Sequence, residues 1–465
     1  MKHFIKISAF AFLLALGGYS CSNYVDGYEI SPNNPQQSSP ALLTTVIEVA
    51  TFSHYTGQFA RFASIMSQHG AGVQAQYEDL GKYDIFEGDN TNEWASHYSA
   101  INDCNTLIAL AGDQNPHYRG VARVLKAMNL AITTDLWGDI PNRAANQGLA
   151  GEEGFNPAYD AQEVVYQDIQ TLLSEALTDF AAPDNVLEPE LDDLIFNGDI
   201  DNWIITAHIL KARYENRLSK KDGPGSATRA LTNIDNAIAA GLTSAASDCN
   251  AIFPGDGNSL NQWYAFEANR AGYYKMAEGF VEFLKTITDP RLPFYVGPDA
   301  SGGFSGTPLG SLLTTTSYVG DYFASPSSPA PLVTYVEAKF IEAEAAFRAG
   351  QLARAAAAHN EAIQAHILQV TGAPADAAYI TAQASETEGS ISLAKIMTHK
   401  YVALFTQFEV YNDWRRTGIP ALSPNPSGSV PAIPRRLPTP QTERLYNSSM
   451  TSPISDITLP VWWDQ

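Results

Sequence analysis

The residues best suited to chemistry in this chain are aromatic, and they gather where helical periodicity lapses. One cluster is Tyr77, Tyr83, Phe86, Trp94 and Tyr98, interleaved with Glu78, Asp79, Asp84, Glu87 and Asp89. The other is Trp263, Tyr264, Phe266, Tyr273 and Tyr274, followed by Phe304, Tyr318, Tyr322 and Phe323. A flat ring matches the C–H face of a sugar, and nearby carboxylates and amides match its hydroxyls. The chemistry implied is non-covalent recognition, by apolar burial plus a few placed hydrogen bonds. Trp94 with Tyr77 and Tyr83, and Trp263 with Tyr264, Tyr273 and Tyr318, are expected to line one groove, although far apart in sequence. On that expectation Trp94→Ala or Trp263→Ala weakens ligand binding with little loss of stability. Phe266 is expected to pack beneath its neighbours. The competing reading is that each ring fills the small core of its own irregular region.

Signatures of covalent or metal-assisted catalysis are missing. There is no His-Glu-x-x-His, no Gly-x-Ser-x-Gly and no phosphate-binding glycine loop. Gly303-Phe304-Ser305 lacks the glycine two residues on, and the nine His are scattered, with His208 inside an apolar helix as a core residue. No cofactor and no metal is expected. Carboxylates are too numerous to single out a catalytic pair, so a glycosidase stays open on these grounds. With 50 acidic against 28 basic residues and a net charge of −22, the chain would repel phosphates, which excludes nucleic acid as a partner. Cys104 and Cys249 sit in no Cys-x-x-Cys pattern and define no disulfide framework.

The elements that must position these rings are helices. Val124, Leu125, Met128 and Ile132 fall on one face of a helix over 121–136 that ends at Trp137-Gly138-Asp139-Ile140-Pro141. Asp160 and Glu163 read as a capping box for the next helix, and Asp199 or Asp201 as the cap of a helix to Lys220. Residues 244–331 form a long irregular insertion, with one helix expected over 273–288. Segments of that kind in compact domains are usually functional. Thr334 and Glu337 open the second helical half as another capping box. Gly350 separates helices 335–349 and 352–370, and Ala343, Ala355 and Ala362 stand where such a pair would cross, the pattern of a tetratricopeptide unit. One amphipathic helix carrying Ile396, Leu404, Phe408 and Tyr411 stops at Gly418 and Pro420. After it a proline-rich strap, 418–465, must run extended. Arg415–Arg416 and Arg435–Arg436 are expected to pin that strap to carboxylates such as Glu409, Asp413 and Glu443.

At the N-terminus, Lys2 and Lys6, an apolar run from Ile5 to Leu16, and small residues before Cys21 read as a signal peptide, 1–20. The run is too short to span a membrane. A cysteine directly after such a signal resembles a lipoprotein cleavage site, with Cys21 taking the lipid and residues 21–40 acting as a Ser/Pro/Asn-rich tether.

Four ordered stretches carry a family resemblance. They are ARVLKAMNLAITTDLWGDIP, DLIFNGDIDNWIITAHILKARYENRLS, VTYVEAKFIEAEAAFRAG, and the pair KYVALFTQFEVYNDWRRTGIP and IPRRLPTPQTERLYN. Together they resemble the SusD/RagB family of nutrient-binding lipoproteins. The resemblance implies a mainly α fold of tetratricopeptide-like antiparallel helix pairs with a loop-rich ligand-binding insertion, in one domain over 41–465. It implies a non-catalytic, lipid-anchored protein on the outer-membrane surface. Such a protein captures an oligosaccharide and acts as a lid on a SusC-like TonB-dependent transporter. The same machinery carrying peptides, an α-helical glycosidase and a pure helical-repeat adaptor are the alternatives. The matched motifs belong to the scaffold and leave the ligand unspecified.

Overall fold

The computed structural model describes residues 38–465, so Cys21, the expected signal and most of the expected tether lie outside the described residues. The first helical half comprises α1 (Pro40–Thr56), α2 (Gln58–Met66), α3 (Ala75–Gly81), α4 (Thr91–Ala111), α5 (Pro116–Trp137), α6 (Gln162–Phe180), α7 (Ile200–Arg217) and α8 (Gly223–Ala239). An irregular region follows with four short helices, α9 (Gln262–Asn269), α10 (Glu278–Thr286), α11 (Leu292–Tyr295) and α12 (Asp321–Ala324). The second half holds α13 (Tyr335–Arg348), α14 (Leu352–Thr371), α15 (Ala377–Gln383), α16 (Leu393–Ala403), α17 (Glu409–Thr417) and α18 (Gln441–Tyr446).

Helices adjacent in sequence pack on one another: α4 on α5, α5 on α6, α7 on α8 and α13 on α14. The last pair turns at Gly350, whose φ of +73° suits glycine, and Ala343, Ala355 and Ala362 at its crossing are fully buried. Short alanine side chains let these two backbones come close. α5 is buried along most of its length, with Arg119, Arg123 and Lys126 on its one partly open face, which makes it the central helix. Asp199 accepts from the amides of Asp201 and Asn202 and caps α7 as expected; Thr334 accepts from the Glu337 amide at 3.1 Å, but the Glu337 carboxylate goes to Arg213 instead of back to Thr334, so only half of that capping box forms.

Three expectations change. Asp160 does not cap α6; it accepts instead from the Asn142 and Arg143 amides. The carboxylate on α6's first turn is Asp139, which accepts from the Gln162 amide at 2.9 Å. The helix expected over 273–288 starts only at Glu278, because Tyr274–Met276 are used as a strand. The amphipathic helix before the strap is two helices, α16 and α17, broken where Thr406 takes a φ of +69°.

Of the three carboxylates expected to hold the arginine pairs, Asp413 does so, and Glu409 and Glu443 are used elsewhere. Arg416 pairs with Glu344 of α13 and with Asp413, and Lys400 holds the other Asp413 oxygen at 2.7 Å. Arg435 pairs with Asp464. Arg415 holds no carboxylate: it donates to the carbonyls of Asp135 and Arg435, and its guanidinium lies over the rings of Tyr411 and Trp463. Glu443 takes no arginine and accepts from Trp94 and Tyr159. Glu409 belongs to a deeper chain, Asp135–Arg217–Glu409, which Arg213 and Glu337 extend. Asp135 also accepts from the Tyr166 hydroxyl and the Trp463 indole. This network ties α5, α7, α13, α17 and the C-terminal residues together. Losing one member leaves a buried charge uncompensated, at a cost of about 3–5 kcal/mol. Cys104 and Cys249 are both free and buried.

Two small antiparallel ladders organise the irregular region. β2 (Cys249–Ala251) pairs with β4 (Ala330–Val333) and closes the base of the insertion. β1 (Gly70–Gly72) pairs with β3 (Tyr274–Met276), with Gly72 opposite Tyr274. A Cβ on Gly72 would fall 1.7 Å from the Tyr77 carbonyl oxygen, so only glycine lets α3 fold back onto this strand. The β1–β3 ladder is what carries the first aromatic cluster to the second.

Candidate ligand-binding face

Beyond the ladder, the Val73 amide donates to the Tyr273 carbonyl, and the rings of Tyr77 and Phe266 meet at 4.7 Å between centroids. Arg61, projecting from α2, joins them. Its Nε donates to the Tyr77 hydroxyl at 2.6 Å, and its guanidinium lies 4.3 Å from the Phe266 ring centroid. These three form the floor of a cleft of about 380 Å³, whose wall carries Phe86, Gln58, Asn90 and Arg270. Phe86 is 65% exposed, the most exposed ring of either cluster. Its backbone is fixed by a 2.7 Å bond from its amide to Asp89 Oδ2. The cleft thus offers an exposed aromatic face, arginine donors, and the carboxylates of Asp79, Asp84 and Asp89 as acceptors. Asp79 and Asp89 are exposed and Asp84 is half-buried.

The other expected site residues are distributed differently. Trp94 is 4% exposed, stands edge-on to Trp137 at 5.1 Å and donates Nε1 to Glu443 at 3.1 Å. It lines a separate cavity. Trp263 is 1% exposed and edge-on to Tyr274, so it is a core residue. The expected single groove holding both tryptophans is therefore corrected: Trp94 is buried against Trp137 of α5 and Trp263 against Tyr274 of β3. Tyr83 is buried too, its hydroxyl accepting from the Asn425 amide at 2.9 Å, and it lines a third cavity against the strap. Burial raises its phenol pKa. Tyr318 donates its hydroxyl to the Trp263 carbonyl at 2.7 Å, while Tyr264 in α9 and Tyr273 just after it are half-buried. Phe266 packs beneath Tyr77 and Arg61. Of the residues expected to touch ligand, Tyr77 alone reaches the Phe86 cleft. Phe86, Arg61 and Arg270 supply the rest. The available signal for Phe86 was its setting, an aromatic amid Asp84, Glu87, Gly88 and Asp89 with little apolar sequence to bury it.

The architecture is thus a scaffold of paired helices whose irregular loops carry a concave polar-aromatic face. A family profile described as starch-binding and associating with the outer membrane matches residues 32–440, and the chain belongs to this SusD-like family. Solved structures agree on the fold. A SusD/RagB family protein from Bacteroides thetaiotaomicron is 21% identical, with a TM-score of 0.74 over 92% of this chain and 99% of that one. A chitin-binding SusD homolog from Flavobacterium johnsoniae is 20% identical, with a TM-score of 0.76 over 91% and 98%. A further structure, described as a chitin-binding protein, is 24% identical, with a TM-score of 0.74 over 92% and 100%. No functionally curated protein matches the sequence. Among the described residues no helix is long and apolar enough to cross a membrane.

Proposed function

We propose that this protein is a non-catalytic glycan-binding component of a nutrient-uptake system, and that it holds an oligosaccharide in the Phe86 cleft. The observation that carries the reading is the meeting of the two aromatic clusters at Tyr77 and Phe266. Arg61 lies over the Phe266 ring and donates to the Tyr77 hydroxyl, and Phe86 is left exposed on the cleft wall. A sugar ring on Phe86 would bury apolar C–H surface, while Arg61, Arg270, Asn90 and the aspartates bond its hydroxyls. Starch- and chitin-derived oligosaccharides are the ligands to try first, since the family is described as starch-binding and two structural relatives as chitin-binding. Calorimetry of wild type and Phe86→Ala with maltoheptaose and chitohexaose tests this; binding that is indifferent to Phe86 refutes the site.

Family membership also supports a lipid anchor at Cys21 and docking on a SusC-like TonB-dependent transporter. Cys21→Ala should release the protein from the membrane fraction, and its retention there would contradict the anchor. A peptide is the alternative ligand, favoured by the cavity of about 410 Å³ between β1 and the strap. Leu309, Leu312 and Leu422 line it beside Tyr83. Peptide titrations of the wild type separate the two readings.

A further inference from the structure

A cavity of about 550 Å³ opens between the C-terminal end of α5 and the strap. Trp94 and Trp137 form its inner wall, and the half-buried rings of Tyr159 and Trp462 face it from the sides. Arg436 also lines it, 7% exposed. Of the other deeply buried arginines, Arg213, Arg217, Arg291 and Arg416 each hold a carboxylate, while Arg415 spends its donors on backbone carbonyls and Asn412. Arg436 holds no carboxylate either. Its Nη2 donates to the Trp137 carbonyl and its Nε to the Leu437 carbonyl, and among the described residues its Nη1 donates to no protein atom. Nη1 is not sealed from solvent, so water or a ligand hydroxyl in the cavity can accept from it. At the rim, Asp139 and Glu163 are exposed carboxylates and Ser452 an exposed hydroxyl. The acidic rim, in a chain of net charge −22, disfavours an anion. Rings, one guanidinium with a free N–H and several acceptors suit a neutral polyhydroxyl ligand.

The position of this cavity gives it a second meaning. Arg436 lines it, while the next residue, Leu437, lines the Phe86 cleft. Asn90 lines the cleft, while Trp94, one turn further along α4, lines this cavity. The two openings therefore flank the same piece of strap and the same helix start. We propose that this cavity is a second glycan subsite, in which one neutral pyranose ring lies against Tyr159 and Trp462 and accepts from Arg436 through its hydroxyls. The proposal rests on the glycan reading of the Phe86 cleft and extends it to a second contact across the strap.

The test uses an asymmetry between the two sites. No tryptophan lines the Phe86 cleft, whereas Trp94, Trp137 and Trp462 line the second cavity. Maltoheptaose and chitohexaose are titrated against wild type, Phe86→Ala and Ser452→Tyr, following heat and tryptophan fluorescence in parallel. Ser452 is exposed at the rim, so tyrosine there should fold normally and fill the mouth. The expected result is a saturable tryptophan response in wild type and Phe86→Ala. Ser452→Tyr should lose that response while keeping heat that depends on Phe86. Heat without any tryptophan response overturns the subsite and leaves the Phe86 reading standing. A tryptophan response that survives in Ser452→Tyr, or loss of all binding in that variant with an unchanged melting curve, also overturns it. Neither heat nor response in wild type with either probe overturns both readings.

Discussion

Phe86→Ala isolates the ligand face from the fold. The ring is 65% exposed, so its removal leaves no cavity and should shift the melting temperature by little. Its value to a ligand follows from area. A large aromatic side chain presents about 200 Å² in full, so a ring exposed to this degree offers roughly 130 Å², of which a sugar stacked on one face covers about half. At about 25 cal/mol per Å², that burial is worth roughly 1.6 kcal/mol, or about fifteenfold in affinity. Isothermal calorimetry on wild type and variant, with whichever oligosaccharide the wild type binds, measures it directly. An affinity changed less than twofold, in a variant that melts with the wild type, refutes the stacking argument.

Trp94→Ala tests the opposite behaviour: with Trp94 buried against Trp137 and bonded to Glu443, its loss should cost about 3–5 kcal/mol of stability. A melting curve like that of the wild type would show that the ring is not core. Asp139→Ala removes the carboxylate that accepts from the first-turn amide of α6, and should cost about 1 kcal/mol in denaturant unfolding; no change means that the bond is idle. Glu48 is fully buried beside Asp193, and burial first, then the Asp193 charge, pushes its pKa up from 4.5 to about 10. The folded state therefore holds a proton that the unfolded chain releases. This contribution is complete below about pH 4.5 and is lost as pH rises toward 10, with a limiting slope of about 1.4 kcal/mol per pH unit. Glu48→Gln keeps a neutral donor there and should flatten the alkaline loss of stability. Parallel pH–stability curves for the two proteins would sink the assignment.

The helical scaffold was legible because its information is local. The apolar period of α5, the Thr334 cap and the Gly350 turn each lie within a few residues of what they specify. The family stretches lie on that same scaffold. What escaped was non-local. Asp160 looked like the cap of α6, but the carboxylate that reaches it, Asp139, arrives from 23 residues upstream. The strand Gly70-Ala71-Gly72 has no side-chain alternation to announce it, and its partner Tyr274–Met276 reads as part of a helix. That pairing, with Arg61 of α2, brings Tyr77 to Phe266. Burial of a ring in an irregular region is likewise set by what folds over it. Trp94 is covered by Trp137 and the Glu443 helix, and Trp263 by Tyr274 and Tyr318. Phe86 has no such cover, although all three sit in similar polar sequence.

The central claim is that the Phe86 cleft holds a sugar. The most direct test is the structure of the protein crystallised with an oligosaccharide shown by titration to bind it. The account predicts a pyranose ring stacked on Phe86, with hydroxyls bonded to Arg61 or Arg270. An oligosaccharide bound elsewhere with the cleft empty, or a peptide occupying the cleft in its place, would contradict it.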